Sequence, residues 1–187
     1  VHLDASDITG KGTHPGDGTS VFTWKDLSGN AHHATQGLTF LQPRWVASGI
    51  GGQPSVSFAD DFMNFASPLL PGDANMSLFM VFDAVPTSGK LDGVLGQWRQ
   101  NRPGAAYLAA NQDSAGTFGV EGVFNPFFEG AGHACLGGST DDFQYTEPSI
   151  IEVTVNPDIF NGGRVYQNGA LQTDFTLTNI YTGTDTD

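Results

Sequence analysis

Apolar and polar residues alternate along most of this chain with a period close to two. In "SIIEVTVN" (149–156), Ile151, Val153 and Val155 alternate with Glu152 and Thr154. In "ALQTDFTLT" (170–178), Leu171, Thr173, Phe175 and Leu177 alternate with Gln172, Asp174 and Thr176. That period places successive side chains on opposite faces of an extended strand. It predicts strands over 1–5, 21–27, 31–36, 43–47, 54–59, 62–66, 76–85, 92–98, 105–111, 117–123, 149–156, 163–169 and 170–178. No segment carries the sustained 3.6-residue apolar stripe of an amphipathic helix. Turn signals separate the strands: Ser28-Gly29-Asn30, Gly51-Gly52, Pro71-Gly72-Asp73 and Asn161-Gly162-Gly163. "VYQNGALQ" (165–172) reads as a hairpin, because Asn168 and Gly169 both tolerate the positive φ of a type I′ turn. The pattern predicts an all-β domain, whose sheets must close or sandwich to hide their edges.

Composition sharpens this picture. With 187 residues the chain is expected to form one domain, large enough to bury a core without disulfides. The 25 Gly and 10 Pro suit many short strands joined by turns. Seven Lys+Arg against 20 Asp+Glu leave a net charge of −13, which repels phosphate backbones and anionic membrane surfaces. Nucleic acid is therefore excluded as a partner. The longest apolar run, "MSLFMVF" (76–82), falls far short of the roughly 20 residues that span a bilayer, so no membrane insertion is expected. Cys135 is the single cysteine, which leaves the redox compartment open. The chain starts at Val1 without a basic or apolar leader, as a mature or excised piece would.

Four segments together carry a family likeness: "LDAS" (3–6), "VFTWKDLSGNAHHATQ" (21–36), "QPRWVASGIGGQPSVSFADDFMNF" (42–65) and "RVYQNGALQ" (164–172). Their order resembles laminin-G-like domains of the concanavalin-A-like lectin/glucanase superfamily, over roughly residues 1–85 and 149–178. The resemblance implies a jelly-roll β-sandwich of two antiparallel sheets, usually found outside the cell; the expected location is extracellular, on a cell surface or on a virion surface. It implies glycan or protein binding and, in some members, Ca²⁺. Within such a sandwich Trp24, Val56, Phe58, Ile151, Val153 and Phe175 are expected to face one another as core. Members usually end on a further strand near the N-terminal one. This sequence stops at "NIYTGTDTD" (179–187), so two expectations stand open: the sequence is cut short before that strand, or another chain donates it.

The candidate chemistry is sparse. Retaining glycosidases need two carboxylates about 5 Å apart, which one strand supplies at i and i+2. The only such pair is Asp185 and Asp187 in the tail, while Glu121, Glu129, Glu147 and Glu152 stand apart. His133 and Cys135 supply two metal ligands where zinc takes four. Calcium fits the loop oxygens better, with Asp4, Asp7, Asp60 and Asp61 as candidate ligands and Asp17, Asp141 and Asp142 as further loop acids. Asp26, Ser28 and Asn30 stand where a turn needs side chains that bond their own backbone, so Asp26 is expected to fix a corner.

Residues 98–148 interrupt the strand rhythm and are rich in Gly, Asn and rings. Aromatic faces flanked by planar polar groups suit sugars, which marks Trp98, Arg99, Asn101, Arg102, Tyr107, Phe127, Phe128 and Tyr145 as candidate ligand-binding residues. "NPFFEG" (125–130) carries enough rings to pack on this domain or on a neighbouring subunit. The sequence thus points first to a non-catalytic extracellular binding or adhesion module with glycan as ligand. A structural subunit of a surface layer, filament or virion is the alternative, and a polysaccharide-cleaving enzyme is the third.

Overall fold

The computed structural model describes residues 1–67, 69, 75–83, 91–97, 105–112, 118–125, 148–156 and 163–175. All regular strand pairing is antiparallel, and among the described residues the only helical segments are single 3₁₀ turns. The described residues are all-β, as the alternation predicts. It divides into two compact units, Val1–Leu69 and Leu70–Asp187.

The first unit is built from very short strands: β1 (Thr23–Trp24), β2 (Ala34–Thr35), β3 (Arg44–Val46), β4 (Ser55–Ser57) and β5 (Asn64–Phe65). β1, β2 and β5 form one sheet, and β3 and β4 form a second. The predicted N-terminal strand is reduced to a single bridge between Leu3 and Asp26. The reason is local: Asp4 takes the Ser6 N–H at 2.8 Å and caps a 3₁₀ turn over Ala5–Asp7. Ile8, Val21 and Trp45 make the core, with Trp24, Val56 and Met63 packed against it. The Trp45 indole N–H donates to the Ala5 carbonyl at 2.8 Å, and its ring stacks on His14 at 4.5 Å. Burial of this ring is therefore achieved without an unpaired donor.

Phe58 departs from expectation. It is 49% exposed, although alternation from Val56 would turn it inward. The strand ends at Ser57, and a turn follows in which Asp60 takes φ +59° and Asp61 accepts from the Ala59 N–H. Alternation lapses where the extended backbone stops.

The second unit has longer strands. β6 (Met76–Phe82), β10 (Ser149–Val155), β11 (Gly163–Gln167) and β12 (Ala170–Phe175) form one sheet in the order β12-β11-β10-β6. β7 (Leu91–Gln97), β8 (Ala105–Gln112) and β9 (Phe118–Asn125) form another. The β11–β12 hairpin turns on Asn168 at φ +50° and Gly169 at φ +80°, the two positive values a type I′ turn requires. Asn168 also ties the hairpin to β10, donating its N–H to the Ile150 carbonyl and accepting the Ile150 N–H on Oδ1. Ile151 and Val153 are fully buried on one face of this sheet. The side chain of Phe175 lies outside the described residues.

Candidate functional site

Register decides which side chains share a face, because residues directly opposite one another in a ladder point to the same side. On the buried side, Ile151 stands opposite Met80 and Gln167, and Val153 opposite Leu78 and Val165. On the other side, Glu152 stands between Phe79 of β6 and Tyr166 of β11, and Tyr166 stands opposite Leu171 of β12. One row therefore reads Phe79–Glu152–Tyr166–Leu171 across four strands. A flanking row pairs Val81 with Ile150, and another pairs Ser77, Thr154 and Arg164.

Among the described residues this second face exposes large apolar groups. Phe79 is 64% exposed, and Val81, Ile150 and Leu171 each exceed half exposure. A solvated face of an antiparallel sheet ordinarily carries polar residues, so large apolar groups here mark a surface that has something to contact. Neighbouring strands lie about 4.8 Å apart, which sets Phe79 and Tyr166 about 10 Å apart with the Glu152 carboxylate between them. Two rings flanking one acceptor, with the Arg164 guanidinium in the next row, form an apolar platform with directional polar groups. The alternation in 149–156 sets Glu152 on the face opposite Ile151 and Val153 but carries no sign of this row. The available signal was β6 itself, in which Leu78, Phe79, Met80, Val81 and Phe82 are apolar without alternation. Such a strand asks for cover on both faces.

The opening motif forms a distinct, architectural constellation. Asp26 is buried, and its Oδ1 accepts the His2 N–H at 2.8 Å and the Ser28 N–H at 3.0 Å. Its Oδ2 accepts the Ser28 hydroxyl at 2.8 Å and the His32 N–H at 3.0 Å. The Asp26 N–H donates to the His33 Nδ1 at 3.0 Å. The donated His2 N–H, with the Ser28 and His32 donors behind it, holds this carboxyl far below the usual carboxylate range, against the opposing effect of burial. Both oxygens are committed to the corner. This is the structural role expected of Asp26.

The four calcium candidates are also engaged locally or stand apart. Asp4 accepts the Ser6 N–H and hydroxyl, which lower its pKa, and the Asp7 Oδ1 accepts the Lys11 and Gly12 N–H groups. Asp61 accepts from Ala59, and Asp60 lies exposed beside it. Among the described residues, no three His, Cys, Asp or Glu side chains gather into a group able to hold a metal ion. His32 and His33 turn to different partners, the former reaching the Ser67 hydroxyl at 3.1 Å.

Of the proposed ligand-binding residues, Tyr107 lies on β8 opposite Val123 of β9 and Gly96 of β7. Trp98, Arg99, Asn101, Arg102, Phe127, Phe128 and Tyr145 lie outside the described residues, as do His133, Cys135 and Asp187. No described helix is long and apolar enough to cross a membrane. No family model, curated protein or solved structure matches the chain.

Proposed function

We propose that this chain is a non-catalytic extracellular binding module that takes glycans, built as a concanavalin-A-like jelly roll. The observation that carries the reading is the row Phe79–Glu152–Tyr166–Leu171 on the four-stranded sheet, exposed at Phe79 and Leu171 and half-buried at Glu152 and Tyr166. Rings stack on the apolar faces of sugar rings, and a carboxylate between them accepts hydroxyl hydrogen bonds. The net charge of −13 favours a neutral or cationic glycan over a sulfated or phosphorylated one. The resemblance of "FTWKDLSGNAHHATQ" and "VYQNGALQ" to laminin-G-like domains supports the same class.

A glycan array probed with Ca²⁺ and again with EDTA tests the reading and reports any ion contribution directly. Binding is expected, and Tyr166→Ala is expected to weaken it about tenfold or more, the effect of removing one stacked ring. Binding that survives Phe79→Ala and Tyr166→Ala but falls with Trp98→Ala or Phe127→Ala moves the site to the 98–148 region. Absence of binding under both ionic conditions counts against a glycan ligand altogether.

A further inference from the structure

We propose that the outer edge of β6 is a dimerisation strand, pairing antiparallel with β6 of a second copy of this chain about a two-fold axis at Phe79. The backbone groups of β10 and β6 fix which residues face outward. Ile150 accepts the Asn168 N–H at 2.8 Å and donates its own N–H to Asn168 Oδ1 at 2.9 Å. Both backbone groups of Ile150 therefore face the β11 side. These directions alternate along an extended strand, so Ile151 and Val153 turn theirs toward β6. Their register partners Met80 and Leu78 point back at β10. Ser77, Phe79 and Val81 are left presenting N–H and C=O away from β10, and β6 has no other strand neighbour among the described residues.

Within β6 itself, the sequence devices that normally blunt an edge are missing. β6 contains no Lys, no Pro and no charge, and its register with β10 runs without a bulge from Met76 to Phe82. The opposite edge of the same sheet differs. There β12 carries Asp174, and its ladder with β11 shifts between Val165 and Tyr166. Among the described residues the two edges of the sheet thus differ in charge and in regularity of register.

The occupant follows from self-complementarity. Ser77, Phe79 and Val81 are symmetric about Phe79, so a two-fold there sets Ser77 against Val81 of the partner subunit and satisfies every outward N–H and C=O. Leu78 then meets Met80 of the partner subunit, and the buried face of one sheet continues into the other. Charge selects the direction. No charged residue lies between Asp73 and Asp83 in a chain of net charge −13, so two copies approach here with least repulsion. Antiparallel pairing brings Asp83 beside Asn75 of the partner subunit, whereas in-register parallel pairing would bring Asp83 against its own copy. The open face carrying Phe79 also becomes continuous across the axis, so the two copies would present one doubled platform. The pairing itself stands on the edge and not on any ligand.

Light scattering across a concentration series measures the native mass without ligand. The expected mass is twice that of the chain. Val81→Pro removes one outward N–H without touching the β10 ladder, and is expected to give a monomer that keeps its β-type circular dichroism. In case that variant fails to fold, Phe79→Cys on a Cys135→Ser background supplies a second readout. A short bis-maleimide is expected to link two copies through residue 79, and Thr154→Cys on the interior strand is expected not to link. A monomer at every concentration overturns the proposal. So does an open-ended assembly, a stable mass with a different protein chain on this edge, or a dimer that survives Val81→Pro without linking at residue 79.

Discussion

The two units of this chain solve the same problem, holding extended backbone in place, by opposite means. In the first unit the strands run only two or three residues, too short to hold register by ladder bonds alone. Side chains take over: Asp26 gathers donors from His2, Ser28 and His32, and Gln36 links the Phe22, Leu38 and Phe62 segments. In the second unit the strands run five to eight residues, and register is carried by continuous ladders and apolar faces. A segment fixed by specific polar contacts has little freedom to meet a partner. A sheet fixed by its own ladder can leave a face and an edge unspent, and those are the features the binding and pairing proposals use.

The largest effect expected from this comparison is loss of an apolar anchor in either unit. Trp45→Ala removes a fully buried ring together with its indole hydrogen bond to Ala5 and its stack on His14. Urea unfolding should show a loss of about 3–5 kcal/mol. Ile151→Ala, at a position with no exposed surface, should cost about 2–5 kcal/mol. Small losses at both positions would mean that neither unit is held by the core assigned to it.

Next in size is the corner. Asp26→Asn keeps the shape but replaces one acceptor oxygen with a donor facing groups that also donate. The sign of its pH dependence follows from linkage. A carboxyl whose folded pKa is depressed contributes stability that is fully present above its unfolded pKa of about 3.9 and is lost as pH falls toward the folded value. The native protein should therefore lose stability progressively below about pH 4, and Asp26→Asn should be less stable at neutral pH with a flatter acid limb. An unchanged acid limb would show that the corner does not depend on this carboxylate. In the same turn Ala31 is held at φ +60°, so Ala31→Gly should stabilise by about 0.5–1 kcal/mol.

Much of this was legible before any coordinates. The alternation in "SIIEVTVN" and the Asn168-Gly169 signal located β10 and the hairpin because both rest on local backbone geometry. Asp26 was legible for the same reason, since its Ser28 contacts span two residues. Its bond to the His2 N–H was not, being 24 residues away and set by the meeting of two segments. The row Phe79–Glu152–Tyr166 was hidden likewise, because it exists only once three strands have fixed their register. Phe58 misled because alternation counts residues and cannot see where a strand stops.

A moderate effect should separate tight local packing from the open sheet. Gly49 sits where an added Cβ would fall 2.8 Å from the Ser55 Cβ and overlap the Ser55 hydroxyl. Its N–H also donates to the Gln53 carbonyl at 2.8 Å, which limits any retreat of the backbone. Gly49→Ala should cost about 1–3 kcal/mol by overpacking, and Ser55→Gly in the same chain should recover part of that loss. Additive losses in the double variant would place the strain elsewhere.

The smallest effect is the most discriminating. Ile150 and Ile151 are adjacent, identical in chemistry and opposite in face, one about half exposed and the other wholly buried. Ile150→Ser keeps both backbone bonds to Asn168, since those use only main-chain groups of residue 150. Its stability should therefore stay within about 0.5 kcal/mol of the parent, the range of ordinary surface substitutions. A loss near that of Ile151→Ala would show that this face is already covered within the chain. Glycan binding and pairing should respond differently, because Ile150 flanks the Phe79–Glu152–Tyr166 row but contributes nothing to the outer edge of β6. Weakened binding with an unchanged native mass would separate the function of the face from that of the edge.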